Sequence, residues 1–137
     1  MDVIRRLALA VAVAASATAA SGESMPDGQA LYRERCASCH GASLEGQADW
    51  KTRKPDGRMP APPHDASGHT WHHSDEQLFR ITKEGPAAIL PGYESDMPGF
   101  GAVLSDAEIR AVLDYIKGTW PERQRALQAA RSNAPAN

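Results

Sequence analysis

The apolar residues of this chain recur at helical spacing in short, separate segments, and polar capping residues mark where several segments begin. Residues 29–36 form the first segment, and Asp27 in front of it suits an N-cap. The motif from Ser74 to Gln77 has the spacing of a capping box and predicts a helix to about Glu84. Gly85 follows that helix, in a position where glycine commonly ends one.

A second capping box, formed by Ser105 and Glu108, predicts the longest helix, which continues to about Trp120. Pro121 fits the first turn of a further helix over residues 122–131, whose charged composition predicts a solvated element. The long helix carries one apolar stripe, which consists of Ile109, Val112, Leu113, Tyr115 and Ile116.

The segments between these helices are rich in Gly, Pro and charged residues and predict loops. Residues 41–70 show no helical periodicity and contain four prolines between Pro55 and Pro63. Residues 85–104 have a similar composition, and no segment has a convincing strand pattern. The chain is therefore predicted to be all-α, with three main helices and long loops. An irregular stretch as long as residues 41–70 usually serves a function or wraps a ligand.

The first residues have the pattern of a secretory signal peptide. Arg5 and Arg6 precede an apolar run from Leu7 to Ala15, and small residues follow it. Cleavage after Ala19 or after Ala20 would satisfy the small-residue rule. The run is too short to span a membrane, so we expect a periplasmic protein with no stable membrane anchor after cleavage.

The predicted organisation follows from these boundaries. The signal peptide covers residues 1–19, and a polar linker covers residues 20–25. The main domain covers residues 26–120. A helical extension and tail cover residues 121–137.

Composition excludes several classes of function. The 15 Lys and Arg residues against 17 Asp and Glu give a formal net charge of −2. This balance disfavours a nucleic-acid binder, because phosphate binding needs an excess of positive charge. Two cysteines form at most one disulfide, so a disulfide-rich scaffold is excluded. With 3 Trp, 3 Tyr and 2 Phe, the side chains alone build only a thin core.

The segment Cys36-Ala37-Ser38-Cys39-His40 is the most informative motif. A redox dithiol would need a βαβ context, and a zinc site would need more ligands than this motif supplies. The remaining interpretation is C-x-x-C-H attachment of one haem c. Cys36 and Cys39 would form thioethers with its vinyl groups, and His40 would be the proximal iron ligand. A covalent haem would also supply the apolar surface that the thin core lacks.

The iron then needs a sixth ligand or an open position. Met97 is favoured, because it lies in Asp96-Met97-Pro98-Gly99-Phe100-Gly101, a sequence that suits a rigid loop, after an intervening helix. Met59 follows His40 with no helix in between, so its loop has less opportunity to cross the haem. The alternative for Met97 is an ordinary core methionine. Four histidines are further candidates: His64, His69, His72 and His73.

With these motifs in place, the chain resembles a class I c-type cytochrome of the small bacterial monohaem kind. The resemblance covers residues 26–120 and rests on the C-x-x-C-H motif, the Met97 to Phe100 loop and the helix from Leu104 to Lys117. It implies a cytochrome c fold wrapped around one covalent haem. It also implies a monomeric one-electron carrier that is not an enzyme and that exchanges electrons with redox partner proteins.

The resemblance assigns roles to further residues. It implies that Gly28 and Tyr32 pack crosswise against the last helix of the domain, at Val112 and Tyr115. It implies that a proline carbonyl, here that of Pro62, accepts the Nδ1 hydrogen of the proximal histidine.

A role for Trp71 remains open between two alternatives. Its indole would donate to a haem propionate, or the side chain would have an ordinary packing role.

Two features depart from the family pattern. The segment from Trp50 to Met59 is long and carries Lys51, Arg53, Lys54 and Arg58, which form a docking patch for an acidic redox partner or simply a solvated loop.

The histidine cluster is the second departure. It would bind copper or zinc in a metal-handling protein, place a second histidine on the iron, or do neither. A further alternative is a peroxidase or ligand sensor with an open sixth position.

Overall fold

A computed structural model of the protein describes residues 24–134. These residues form five α-helices and two short 3-10 turns, with no β-strand, so the all-α prediction is confirmed. The proposed signal peptide lies outside the described residues. The helices are α1 (Gly28–Arg35), α2 (Ala37–His40), α3 (Asp75–Glu84), α4 (Asp106–Gly118) and α5 (Glu122–Ser132), and the 3-10 turns are Thr70–His72 and Pro86–Ala88.

The capping residues read from the sequence determine where the helices begin. The Asp27 carboxylate accepts the amide of Ala30 at 3.0 Å, and both capping boxes are formed in full. α4 ends at Gly118, two residues before the predicted end. Beyond it, the amides of Thr119 and Trp120 donate to carbonyls three residues back, instead of the four residues of an α-helix. This turn directs the Trp120 ring into the core, where it is 2% exposed.

α1 and α4 cross at very short distance. A Cβ atom added to Gly28 would overlap the carbonyl of Ala111 and lie 3.1 Å from the amide nitrogen of Val112. Tyr32 is fully buried one turn further along α1, its ring centroid 5.5 Å from that of Tyr115. The contact therefore joins the four residues that the resemblance implied. It requires glycine at position 28, since no other residue lets two helix backbones approach so closely.

The side-chain core is small and lies between α1, α3 and α4. Leu104, just before α4, belongs to it, and so does Leu44 from the long loop. The buried hydrophobic residues are Tyr32, Leu44, Leu78, Phe79, Leu104, Ile109, Val112, Leu113, Ile116 and Trp120.

α5 docks on the domain, so the prediction of a solvated helix is wrong for one of its faces. Gln128 is 4% exposed, and its side-chain nitrogen donates to the Asp75 carboxylate at 2.8 Å. The Asp75 amide donates to Ser132 Oγ at 2.9 Å. The Asp75 amide, which has no acceptor within α3, bonds to the Ser132 hydroxyl, and the Asp75 carboxylate accepts from Gln128. Hydrophobic periodicity does not reveal a helix that docks through polar residues.

No helix among residues 24–134 is long and apolar enough to cross a membrane.

We expect Gly28→Ala to lower the free energy of unfolding by about 1–3 kcal/mol, because the added methyl group forces α1 away from α4. Chemical denaturation of the haem-loaded protein measures this loss. Gly118→Ala is the matched control, since a Cβ there meets nothing within 4 Å. Equal stability of the two variants would show that the crossing tolerates a side chain.

Candidate functional site

A cavity of about 860 Å³ opens between α2, the inner faces of α3 and α4, and the two long loops. Cys36, Cys39, His40, Pro62 and Met97, all singled out from the sequence, line it together. Its apolar wall consists mainly of Leu78, Ile81, Phe100, Val112, Leu113 and Ile116.

Cys36 lies at the junction of α1 and α2, Cys39 lies within α2, and both are free thiols. Cys36 is partly buried and Cys39 is exposed. Burial, together with the smaller effect of the neighbouring Cys39, raises the pKa of the Cys36 thiol to about 11. Reactive dithiol motifs need a lowered pKa. This environment therefore does not suit the redox-dithiol alternative.

His40 is buried at the end of α2 and is held by one hydrogen bond. Its Nδ1 lies 2.9 Å from the carbonyl oxygen of Pro62, the residue that the resemblance indicated. A carbonyl only accepts, so Nδ1 carries the hydrogen. Burial lowers the pKa of His40, so the ring is neutral near pH 7 and Nε2 keeps its lone pair. That nitrogen has the chemistry of a metal ligand.

Gly46 lets the Pro62 segment come this close. Its φ is 70°, and a Cβ there would lie 2.5 Å from the Pro63 nitrogen. The Gly46 amide donates to the carbonyl of His40 at 2.7 Å. The sequence contained a signal for this approach, a glycine in a proline-rich loop, but not the identity of its neighbour.

His64 lies beside His40, an arrangement that sequence reasoning missed. The two imidazole rings stack, with centroids 3.9 Å apart and planes 21° from parallel. His64 Nδ1 is 2.7 Å from Thr70 Oγ1, and the His64 carbonyl accepts the indole hydrogen of Trp120 at 2.7 Å. Burial places the pKa of His64 well below its ordinary value, so the ring is uncharged near neutral pH. A ring stacked on His40 cannot face it from the opposite side of an iron atom.

The other three histidines separate into two groups. His69 and His73 line the cavity with Trp50, and the His69 ring stacks on Trp50 at 5.5 Å. His72 packs on the Trp71 ring instead, at 3.8 Å, and does not line the cavity. Within residues 24–134, no three or more His, Cys, Asp or Glu side chains are arranged to hold a metal ion. The geometry therefore gives no support to copper or zinc binding by this cluster.

Trp71 is bonded within the protein, beside the cavity lining. It is not among the residues that line the cavity, and its indole N–H donates to the carbonyl of Ala66 at 3.3 Å. The indole hydrogen thus has a partner that suits a packing role, and donation to a haem propionate stays a prediction.

The Met97 loop is attached to the end of α3. The amides of Phe100 and Gly101 donate to the carbonyls of Thr82 and Lys83, both at 2.9 Å. These bonds hold the loop at the cavity wall formed by α3.

Met59 also lines the cavity, but from a different segment. That segment is bound to the loop after His40, because the Gln47 amide donates to the Ala61 carbonyl at 2.9 Å.

Every cation of the predicted docking patch has a partner within the protein. Lys51 lies over the Trp50 ring at 5.1 Å from its centroid. Arg53 donates to the carbonyl of Gly57 at 2.7 Å. Lys54 and Arg58 both contact the Asp96 carboxylate.

Comparison with known families identifies the fold and the chemistry. The family model described as cytochrome c oxidase, cbb3-type, subunit III, matches residues 23–116. The chain therefore belongs to this family of c-type cytochrome domains, which confirms the resemblance found in the sequence. Such domains hold covalently bound haem c, transfer electrons to and from redox partner proteins, and are typically extracytoplasmic. Searches of curated proteins and of solved structures found no match.

The residues present fit haem c. The cavity combines two thiols at C-x-x-C spacing, an imidazole with a free Nε2, a thioether side chain and an apolar wall. Its volume lies within the range of cavities that enclose organic ligands.

We expect Trp120→Phe to lower the free energy of unfolding by about 1–3 kcal/mol, because it leaves the His64 carbonyl without its buried donor. Thermal and chemical unfolding of the haem-loaded protein measure the loss. Trp71→Phe is the comparison, and it should lower the free energy of unfolding less, because its indole bond to Ala66 is longer and the ring is less buried. It should also leave the redox potential unchanged. A large shift in potential with Trp71→Phe would favour the propionate alternative.

Proposed function

We propose that the protein is a periplasmic one-electron carrier, or the electron-transfer subunit of a larger assembly, with one haem c ligated by histidine and methionine. Cys36 and Cys39 are the covalent anchors, His40 is the proximal ligand and Met97 the distal one. The observation that carries the proposal is that one apolar cavity collects these four side chains from α2 and from a loop beyond α3.

The chain's own residues prepare the site for electron transfer. The bond from His40 Nδ1 to Pro62 fixes the orientation of the imidazole and increases the basicity of Nε2. The stacked His64 ring covers one face of the His40 imidazole and shields that face from water. When bound, haem iron supplies the one-electron chemistry, and thioether ligation with burial favours its reduced form. A pair of protein ligands in place before and after transfer keeps the structural change small.

Met97 is a better distal ligand than Met59 because of where each segment is attached. Met59 is three residues from Pro62, whose carbonyl binds His40, so its segment follows the proximal side. Met97 belongs to the loop that is hydrogen-bonded to the end of α3. A ligand opposite His40 needs a segment whose backbone is attached elsewhere, and the backbone bonds of the Met97 loop go to α3.

Fewer alternatives for the sixth iron position fit the cavity than fit the sequence. Ligation by two histidines would need His69 or His73, because His64 stacks on His40 and His72 is outside the cavity. A peroxidase or ligand sensor would need an iron position that no side chain fills, whereas two methionines line the cavity.

Docking of an acidic redox partner at the Trp50–Met59 segment is part of the proposal. Lys51 and Arg53 carry it, since neither pairs with a carboxylate among residues 24–134. Lys54 and Arg58 contribute less, because Asp96 compensates their charge.

We expect Met97→Leu to abolish the weak far-red absorption band of methionine-ligated ferric haem, and to make the reduced protein bind carbon monoxide. Leucine keeps the apolar volume but offers no lone pair. Optical spectra of the oxidised and the dithionite-reduced proteins check this. Met59→Leu is the matched control and should resemble the wild type.

Two results would contradict the proposed ligation. If the far-red band disappears with Met59→Leu instead, the distal ligand is Met59. If the wild type lacks the band and Met97→Leu changes nothing, the iron is bound by a histidine or is open. Carbon monoxide binding by the wild type distinguishes those two, because only the open iron binds it readily.

A further inference from the structure

The charged segment before Met59 ends in a tight turn that brings two cations together. In Lys54-Pro55-Asp56-Gly57-Arg58, the Gly57 amide donates to the Lys54 carbonyl and the Lys54 amide to the Arg58 carbonyl, both at 2.9 Å. Gly57 has a φ of 84°, which glycine adopts without strain. The Arg58 amide also donates to the Asp56 carboxylate at 2.9 Å. The turn therefore holds the Lys54 and Arg58 side chains next to each other.

Asp96 accepts both cations, one on each carboxylate oxygen. Arg58 Nη1 donates to Oδ1 at 2.7 Å, and Lys54 Nζ donates to Oδ2. We call Lys54, Arg58 and Asp96 the Asp96 cluster. Hydrogen bonds from Lys54 and then Arg58 lower the pKa of Asp96, so the carboxylate stays charged in the neutral range. The cluster joins two loops that are far apart in the sequence, and its acidic member directly precedes Met97.

The Met97 loop is thus held at both ends, by different means. On its C-terminal side, the amides of Phe100 and Gly101 bond to carbonyls of α3. On its N-terminal side, the contacts that cross the cavity mouth within residues 24–134 are those of the Asp96 cluster. Ser95 adds only a local bond, from the Met97 amide to its hydroxyl at 3.1 Å. The cluster is therefore what ties the start of the Met97 loop to the opposite side of the cavity.

We propose that Asp96, held by Lys54 and Arg58, is a positioning residue that keeps the Met97 thioether in the cavity and restricts the entry of outside ligands. This inference rests on the proposed function, in which Met97 binds the iron. Exposed ion pairs add little to global stability. Local opening of a loop, however, costs far less free energy than unfolding, so a small contribution changes how often the loop opens.

The experiment measures loop opening in the haem-loaded ferric protein through the binding rate of imidazole. Imidazole replaces the Met97 thioether only when the loop opens, and its neutral form approaches independently of local charge. We expect Asp96→Asn to bind imidazole about three- to tenfold faster than the wild type, the range that the loss of two exposed ion pairs gives. High salt should accelerate the wild type and leave Asp96→Asn nearly unchanged.

A second variant separates positioning from simple electrostatics. Asp96→Asn removes a negative charge, whereas Lys54→Gln combined with Arg58→Gln removes two positive charges. If the charges act only through their electric field at the iron, the two variants shift the redox potential in opposite directions. If the charges act by holding the Met97 loop closed, both variants accelerate imidazole binding. Combining all three substitutions should give much less than the product of the separate accelerations, because all of them remove the same contact.

Asp114→Asn is the matched control. This carboxylate is exposed and pairs with Lys117 at 3.1 Å on α4, away from the Met97 loop. It should leave imidazole binding unchanged. Thermal unfolding should be similar in all variants, which shows that they fold.

Three results would overturn the inference. One is a wild-type binding rate in both cluster variants, while Met97→Leu still loses the far-red band; the ligation then stands and the positioning role falls alone. Another is faster imidazole binding in one cluster variant and slower binding in the other. The change in charge near the iron would then explain the rates, and loop opening would not. The third is Met97→Leu with an unchanged band, in which case the proposed ligation fails and this inference fails with it.

Discussion

The crossing of α1 and α4 at Gly28 determines where the cavity lies, because each helix continues directly into one of its walls. α1 leads into Cys36 and then α2, which ends at His40. α4 presents its apolar stripe to the same space. Without a Cβ at position 28, the two backbones come into direct contact. The side-chain core is too small to hold these helices independently, so their separation depends on this single approach.

The two sides of the cavity are built on different principles. On the His40 side, a series of short hydrogen bonds connects Gly46, His40 and Pro62, and the His64 ring stacks on the His40 ring. The Trp120 indole then ties this side to the end of α4. The Met97 side is attached to α3 through backbone bonds and the packing of Phe100 at the C-terminal end of its loop, and through surface charges at the N-terminal end. The start of the Met97 loop is therefore attached through exposed charges, whereas the His40 side is attached through buried bonds and ring stacking.

The sequence predicts the parts of the structure that depend on local chemistry. Capping boxes at Ser74 and Ser105 give the starts of α3 and α4 because each involves residues three positions apart. The C-x-x-C-H motif is local as well. Contacts between distant segments were not predictable from periodicity: the docking of α5 through Gln128, the stacking of His64 on His40, and the pairing of Lys54 and Arg58 with Asp96. These depend on polar side chains, whose partners the pattern of apolar residues does not specify.

The helix crossing also has a consequence for the order of folding. Gly28 and Ala111 lie near opposite ends of the domain, so their contact closes a chain loop that contains the C-x-x-C-H motif and both long loops. Closing so long a loop carries an entropic cost, which the packing of the two helices offsets once they meet. Until then, Cys36 to His40 belong to an open chain that can be approached from all sides. Covalent attachment can therefore come first, and the meeting of the two helices afterwards closes the domain.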